Sequence, residues 1–304
     1  MKTYSIIAFF AKILLSGSLL IGFNYSYGQS NENYLSFSSV EEMYNYFAPD
    51  FHRFIPLIQG HRGTKECGFP EGTIPCFEYL LEHTRASIEI DPRLTKDSVM
   101  VVFHDATLNR ASNGKGKIRD FTWEQLQQFN LKNSRGEVTP HKIPLLEDII
   151  EWAEGKTVLV LDHKDVPPSM IANLIKKKNA SRYIINTVWS LDEALVYFKE
   201  DSSRMFLISI RSKESIQDYL EAGIPPNQLI GSLGTEWNES AKKHCEELKS
   251  FGISSLLATA STYDKIQNEN IRINTFLTLK NNCVNIIESD YPVEISRILH
   301  QSDK

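Results

Sequence analysis

Short apolar, β-branched runs alternate with amphipathic segments along almost the whole chain, and that alternation limits the fold more than any other feature. Strand-like runs stand at about 55–60, 86–91, 99–103, 157–162, 183–189, 205–210, 228–233, 253–259 and 284–289. Between most of them the apolar residues take helical spacing: Ile74 to Thr84, Leu145 to Glu154, Pro168 to Lys178, Leu191 to Lys199, Ser240 to Phe251 and Tyr263 to Leu279. Strands joined through helices form a parallel sheet, because each connection must cross back over the sheet. Eight such units make an α/β fold of the (β/α)8 TIM type, about 250 residues long.

Nine runs compete for eight places. Only Pro92 to Ser98 separates the run ending at Asp91 from Val99 to Phe103, too little for a parallel crossover, so these two form a hairpin. A tight turn at Asp97-Ser98 sets Lys96 opposite Val99 and Asp91 opposite His104. The returning strand then rises beyond the barrel rim, and eight remain. Residues 111–142 follow that hairpin. They are polar and glycine-bearing, with one short helical stretch at Thr122 to Phe129, and read as a small insertion over the barrel mouth with too few apolar residues for a core of its own.

The N-terminus has a different character. Met1-Lys2 precedes an apolar stretch from Ile6 to Phe23, and Ser26-Tyr27-Gly28 supplies small residues at a cleavage site before Gln29. Residues 1–28 read as a secretory signal peptide and 29–304 as a single catalytic barrel domain, exported to the periplasm or the medium. Two of the 33 Lys and Arg residues lie in the leader, leaving 31 against 38 acidic residues, a balance of −7. No basic run stands out, so nucleic acid is a poor partner. No second apolar run is long enough to span a bilayer, so stable membrane insertion after cleavage is not expected. The four cysteines, Cys67, Cys76, Cys245 and Cys283, lack metal-ligand spacing. Cys67 and Cys76 are close enough in sequence to close a small loop, yet four cysteines in so long a chain read as free, buried thiols.

Chemistry gathers at strand ends. Side chains alternate along a strand, so Glu89 and Asp91 share one face, as do Asp162 and Lys164, with His163 turned away. At the carboxyl ends of barrel strands the inward face looks into the mouth, where barrel enzymes place their reactions. Three carboxylates without partnered cysteines favour a hard divalent cation, Ca²⁺ or Mg²⁺. His61 lies between Gly60 and Gly63, beside Arg62, whose fork of donors suits a phosphate. Two histidines at one rim, His61 and His104, are equipped for general acid and base work. A metal and Lys164 would stabilise charge on phosphoryl oxygens. Glu71 orients His61 or a metal-bound water, or stands as surface charge. Asp105 and Arg110 read as structural, and Trp123, Trp189 and Trp237 as core packing.

As an ordered set, these residues resemble the glycerophosphodiester phosphodiesterases: His61-Arg62-Gly63, Pro70-Glu71-Gly72-Thr73, Glu89-Ile90-Asp91, His104-Asp105, Leu108-Asn109-Arg110, Ile143-Pro144-Leu145-Leu146-Glu147, Asp162-His163-Lys164 and Ser289-Asp290-Tyr291-Pro292. The likeness runs from about residue 58 to 292 and is densest before 165. It implies a (β/α)8 barrel with a small insertion, a divalent cation, and hydrolysis of glycerophosphodiesters to glycerol 3-phosphate and an alcohol. By motif position, His61 and His104 are the acid/base pair, Glu89, Asp91 and Asp162 the metal ligands, and Arg62 and Lys164 the phosphate contacts. This chain departs from the family in having Gly72 where Asn is usual and Asp162 where Glu is common. A Trp-Thr-Val-Asn type of strand near the C-terminus is replaced by Ile253 to Ala258.

Attack by a glycerol hydroxyl through a cyclic intermediate and direct attack by water both fit these residues. Two other readings compete: a phospholipase-like enzyme acting on lysophospholipids or phosphoinositides, and a barrel that binds phosphorylated ligands without turnover. The first needs an apolar lip at the mouth, which the polar insertion does not offer; the second sits poorly with a full set of catalytic groups.

Overall fold

Eight parallel strands close on themselves in the computed structural model, which describes residues 32–49, 55–209 and 213–301. The expected leader, Met1 to Gly28, lies outside the described residues. Helix α1 (Val40–Phe47) comes first, capped by the Ser39 hydroxyl, which accepts from the Glu42 N–H. Then follow β1 (Leu57–His61), α2 (Ile74–His83), β2 (Ser87–Ile90), β3 (Pro92–Leu94), β4 (Met100–Val102), α3 (Trp123–Leu126), α4 (Leu146–Ala153) and β5 (Leu159–Leu161). The second half alternates strictly: α5 (Pro168–Lys177), β6 (Ile184–Val188), α6 (Leu191–Glu200), β7 (Met205–Ile208), α7 (Lys213–Glu221) and β8 (Leu229–Ser232). It ends with α8 (Glu239–Ser250), β9 (Ser254–Ala258), α9 (Glu269–Lys280), β10 (Ile286–Ser289) and α10 (Pro292–Gln301).

The barrel order is β1-β10-β9-β8-β7-β6-β5-β2, and β3 with β4 forms a separate two-stranded ribbon. The sequence-based expectation of eight parallel strands plus one hairpin is therefore met. Strand alternation explains the core. Ile88 and Ile90 point outward from β2 and are fully buried, as are Leu159 and Leu161 on β5. Each such side chain contributes about 1.5–3 kcal/mol by leaving water, while the opposite faces of the same strands are free to carry polar groups.

Three expectations need correction. The hairpin pairs Pro92 with Val102, Arg93 with Val101 and Leu94 with Met100, one residue away from the expected register. Phe103 rather than His104 faces Asp91, donating its N–H to the Asp91 carbonyl at 3.0 Å. The cause is Ser98, which takes a left-handed conformation (φ 63°) and makes a three-residue turn where two were expected. Second, Cys245 on α8 and Cys283, just before β10, form a disulfide, where free thiols were expected; 38 residues separate them, and only the barrel brings them together. Third, the insertion does take part in a core, though a shared one. Ala111, Ile118, Leu126 and Leu131 are buried with Val101 and Phe103 of the hairpin and the flanking Leu108 and Ile143, in a cluster separate from the main one. Few apolar residues suffice because the hairpin supplies part of that core. Among the described residues no helix is long and apolar enough to cross a membrane.

Candidate active site

The carboxyl ends of the strands enclose a cavity of about 320 Å³, lined by His61, Arg62, Glu89, Asp91, His104, Asp162 and Lys164 among others. Every residue nominated from sequence for catalysis, metal or phosphate is therefore at one place, and Glu71 stands just outside it. Parallel register brings them together: His61 pairs with Glu89 across β1 and β2, and Ile90 with Leu161 across β2 and β5. Asp91 and Asp162 follow at the next step, both facing in.

Glu89, Asp91 and Asp162 form the acidic floor, each offering an oxygen within 4.8 Å of the others. Burial pushes the Glu89 carboxyl well up, and the charges of Asp91, Glu288 and Asp162 push it further. Oδ1 of Asp162 is buried with no hydrogen-bond partner. A buried, mutually repelling oxygen set with a lone pair to spare fits a hard divalent cation. Lys164 bridges two of the three, with Nζ 2.9 Å from Asp91 and 2.5 Å from Asp162. Although burial alone would lower its pKa, those carboxylates raise it.

Arg62 is held in a left-handed conformation (φ 57°). Its N–H donates to the Glu89 carboxylate at 3.1 Å, and its Nε lies 3.3 Å from Asp91. The turn is possible because Gly60 packs directly beneath it: a Cβ there would lie 2.2 Å from the Gly63 carbonyl oxygen. Gly72, where the resembled family has Asn, also has positive φ (72°), a conformation that Gly and Asn share as tolerated residues.

Each histidine is backed by a carboxylate. His61 Nδ1 donates to Asp290 Oδ1 at 2.8 Å, and Lys65 Nζ holds the other oxygen at 2.5 Å. Burial would raise the Asp290 pKa, but the hydrogen bonds from His61 and Lys65 hold it below the usual carboxylate range. His104 Nδ1 donates to Asp105 Oδ1 at 2.8 Å, and Arg110 clamps Asp105 at 2.8 Å and Glu71 at 2.6 Å. Against the pull of burial, Arg110 and His104 draw Asp105 down to about 2. Burial lowers the pKa of His104 itself. An ionised carboxylate only accepts, so in both pairs the proton sits on Nδ1 and Nε2 is left for chemistry.

Several residues carry more, or something else, than their sequence suggested. The sequence assigns Asp290 no role and Asp105 and Arg110 a structural one, yet all three stand behind the histidines. Glu71 contacts Arg62 and Arg110 rather than His61, which places it behind the His104 pair. Glu288 lines the cavity and accepts from Gln59 Nε2 at 2.5 Å; removal from bulk water raises its pKa. Trp189, expected in the core, is 60% exposed at the cavity rim, whereas Trp123 and Trp237 pack against apolar clusters. His163 points away from the cavity, 3.7 Å from Glu193.

Residues 61–281 match the model of the glycerophosphoryl diester phosphodiesterase family. The crystal structure of a glycerophosphoryl diester phosphodiesterase from Parabacteroides distasonis superposes with a TM-score of 0.84 at 39% identity, covering 88% of this chain and 94% of that one. A glycerophosphodiester phosphodiesterase of Bacillus altitudinis is 42% identical over 106 residues, 34% of this chain. One from Bacillus subtilis is 25% identical over 231 residues, 71% of this chain and 72% of that protein. The chain spans under half the length of the first curated relatives it matches, 43% for the Bacillus altitudinis enzyme. With the barrel, the acidic floor and the family match in hand, the chain belongs to the glycerophosphoryl diester phosphodiesterase family.

Proposed function

We propose that this protein is an exported, metal-dependent phosphodiesterase that hydrolyses glycerophosphodiesters to glycerol 3-phosphate and an alcohol. The observation that carries the reading is the pair of carboxylate-backed histidines, His61 and His104, on one cavity with the cluster of Glu89, Asp91 and Asp162. Those three carboxylates would hold a divalent cation, Ca²⁺ or Mg²⁺, which when bound supplies Lewis-acid stabilisation of phosphoryl charge. Arg62 and Lys164, both tied to Asp91, offer donors to the phosphate oxygens.

Proton traffic falls to the histidines. His104, kept neutral by burial, presents Nε2 to accept the proton of the attacking hydroxyl. His61, steadied by Asp290 and Lys65, delivers a proton to the departing alkoxide. One P–O bond forms and one breaks, and the alcohol leaves neutral; attack by water gives glycerol 3-phosphate at once, whereas attack by a glycerol hydroxyl gives a cyclic phosphodiester that water then opens. Among the described residues, Trp189 is the one large exposed hydrophobic side chain on the cavity lining. A single aromatic rim suits a small polar head group better than an acyl chain.

The test is product identity. Phosphorus NMR of reactions with glycerophosphocholine and glycerophosphoethanolamine should show glycerol 3-phosphate from both. Phosphocholine as the phosphorus-bearing product would mean that the other ester bond is cut, and no product from either would refute the assignment.

A further inference from the structure

Two buried thiols that the chemistry above does not use lie directly beside it. Cys67 and Cys76 belong to the stretch from the end of β1 into α2, the same stretch that carries His61, Arg62 and Glu71. Their sulfurs are 3.3 Å apart, across nine residues of sequence. Thr64 aims both of them. Its carbonyl accepts from the Cys67 thiol at 3.5 Å and the Cys76 thiol at 3.3 Å, and its N–H donates to Cys76 Sγ at 3.4 Å. The Cys76 sulfur packs under the Arg62-Gly63 turn, since a Cβ on Gly63 would lie 2.8 Å from it. Lys65, one residue on from Thr64, binds the Asp290 carbonyl through its own N–H at 2.8 Å. The thiols therefore sit at the joint that ties this loop to β10 and to the residue behind His61.

We propose that Cys67 and Cys76 are a second disulfide site, formed wherever a disulfide oxidant is supplied, and that the bond staples the loop carrying His61 and Arg62 onto α2. The sulfurs need to close by roughly 1.3 Å to reach bonding distance. Cys76 is fixed in the first turn of α2, so Cys67 makes the movement, and there is room beside it: even a Cβ added at Gly68 would meet nothing closer than 3.7 Å. The chain already carries one disulfide, Cys245–Cys283, so pairing Cys67 with Cys76 leaves none of its four cysteines free.

The chemistry balances as ordinary thiol–disulfide exchange. The Cys67 thiolate attacks one sulfur of a small-molecule disulfide and expels the first thiol. Cys76 then attacks Cys67 in the mixed disulfide and expels the second. Two cysteine S–H bonds and the oxidant's S–S bond are lost; one Cys67–Cys76 bond and two S–H bonds in the released thiols are gained. Two electrons pass from the cysteines to the oxidant. The order fits the local electrostatics: the hydrogen bond with Cys76 draws Cys67 down to about 7, and the same contact with burial pushes Cys76 up.

The experiment is differential alkylation of the full-length protein. Protein incubated with oxidised glutathione is denatured in N-ethylmaleimide without reductant and digested. A peptide joining Cys67 to Cys76 is expected, lighter by two hydrogens than the reduced pair, alongside the Cys245–Cys283 peptide as internal control. Thermal melting supplies the second readout. Oxidised glutathione should raise the Tm of the parent protein by about 5 °C more than that of the Cys67→Ser, Cys76→Ser double variant. Alkylated Cys67 and Cys76 in a sample whose control disulfide is intact would overturn the site. A cross-linked peptide with equal shifts in parent and double variant would overturn the stapling. Neither result depends on which substrate the enzyme cleaves.

Discussion

Replacing Asp290 by Asn isolates what the carboxylate behind His61 contributes, because it removes a charge while keeping shape. Asp290 now satisfies two donors, His61 Nδ1 at 2.8 Å and Lys65 Nζ at 2.5 Å, one on each oxygen. Asparagine has a single oxygen, so the two donors compete for it. The ammonium of Lys65 cannot accept a hydrogen bond, whereas an imidazole can by changing tautomer. The amide NH₂ is then turned toward His61, Nδ1 becomes the acceptor and the proton moves to Nε2, the atom that faces the reaction. Loss of the charge-assisted bond alone costs about 1–2 kcal/mol, roughly 5–30-fold in rate. With Nδ1 tied up as an acceptor, His61 cannot also be protonated there and is a far weaker acid toward the leaving alkoxide, so a fall of about 10²–10³ in kcat is expected with little change in KM. The assay is initial-rate release of glycerol 3-phosphate, with melting curves to check folding. Adding Lys65→Met should restore about tenfold, since the amide oxygen can then return to His61. Activity of Asp290→Asn within threefold of the parent, at equal Tm, would refute the reasoning.

Other substitutions and conditions probe the remaining parts of the site. Gly60→Ala forces a Cβ to 2.2 Å from the Gly63 carbonyl oxygen and 2.6 Å from Leu80; stability should fall by about 3 kcal/mol, read as the shift in urea midpoint. Asp105 is depressed to about 2 from 3.8 in the folded chain, so the stability it contributes is complete above the unfolded value and is lost as pH falls through that interval. The parent should accordingly lose stability more steeply between those pH values than Asp105→Asn, and equal slopes in acid unfolding would count against the pairing. Glu89 is raised, so cation binding should expel a proton. Calorimetric titration of Ca²⁺ or Mg²⁺ in buffers of different ionisation enthalpy should show that release, and Glu89→Gln should abolish it. Trp189→Ala should raise KM for glycerophosphocholine about fivefold through loss of a cation–π contact, leaving kcat unchanged; an unaltered KM would remove Trp189 from the binding site.

The barrel was legible because its signal is local. Each strand is an apolar run, several end in chemistry as Ile88 to Asp91 does, and the brevity of Pro92 to Ser98 excludes a crossover. What escaped depends on contacts distant in sequence or on a single backbone angle. The hairpin register slipped because Ser98 adopts a left-handed conformation with no glycine to announce it. The Cys245–Cys283 disulfide joins residues 38 apart, a spacing that carries no local signal. The insertion hid its core because part of that core belongs to the hairpin and to the residues flanking the insertion. Asp290 was within reach of reasoning. Closing a barrel makes the first and last strands neighbours, and Gly60 pairs with Ser289, so the next residues, His61 and Asp290, must meet. A similar argument from β10 would have found Glu288.

Chelation and reconstitution test the central claim most directly. Initial rates of glycerol 3-phosphate release would be measured for the parent, His61→Ala and His104→Ala, first in excess chelator and then with Ca²⁺ or Mg²⁺ restored. Expected is a parent rate abolished by chelator and recovered with one of the cations, while either histidine variant stays at least about 10³-fold slower with metal present. Undiminished turnover in chelator, or parent-like rates from a folded histidine variant, would contradict a reaction carried by two histidines over the cluster of Glu89, Asp91 and Asp162.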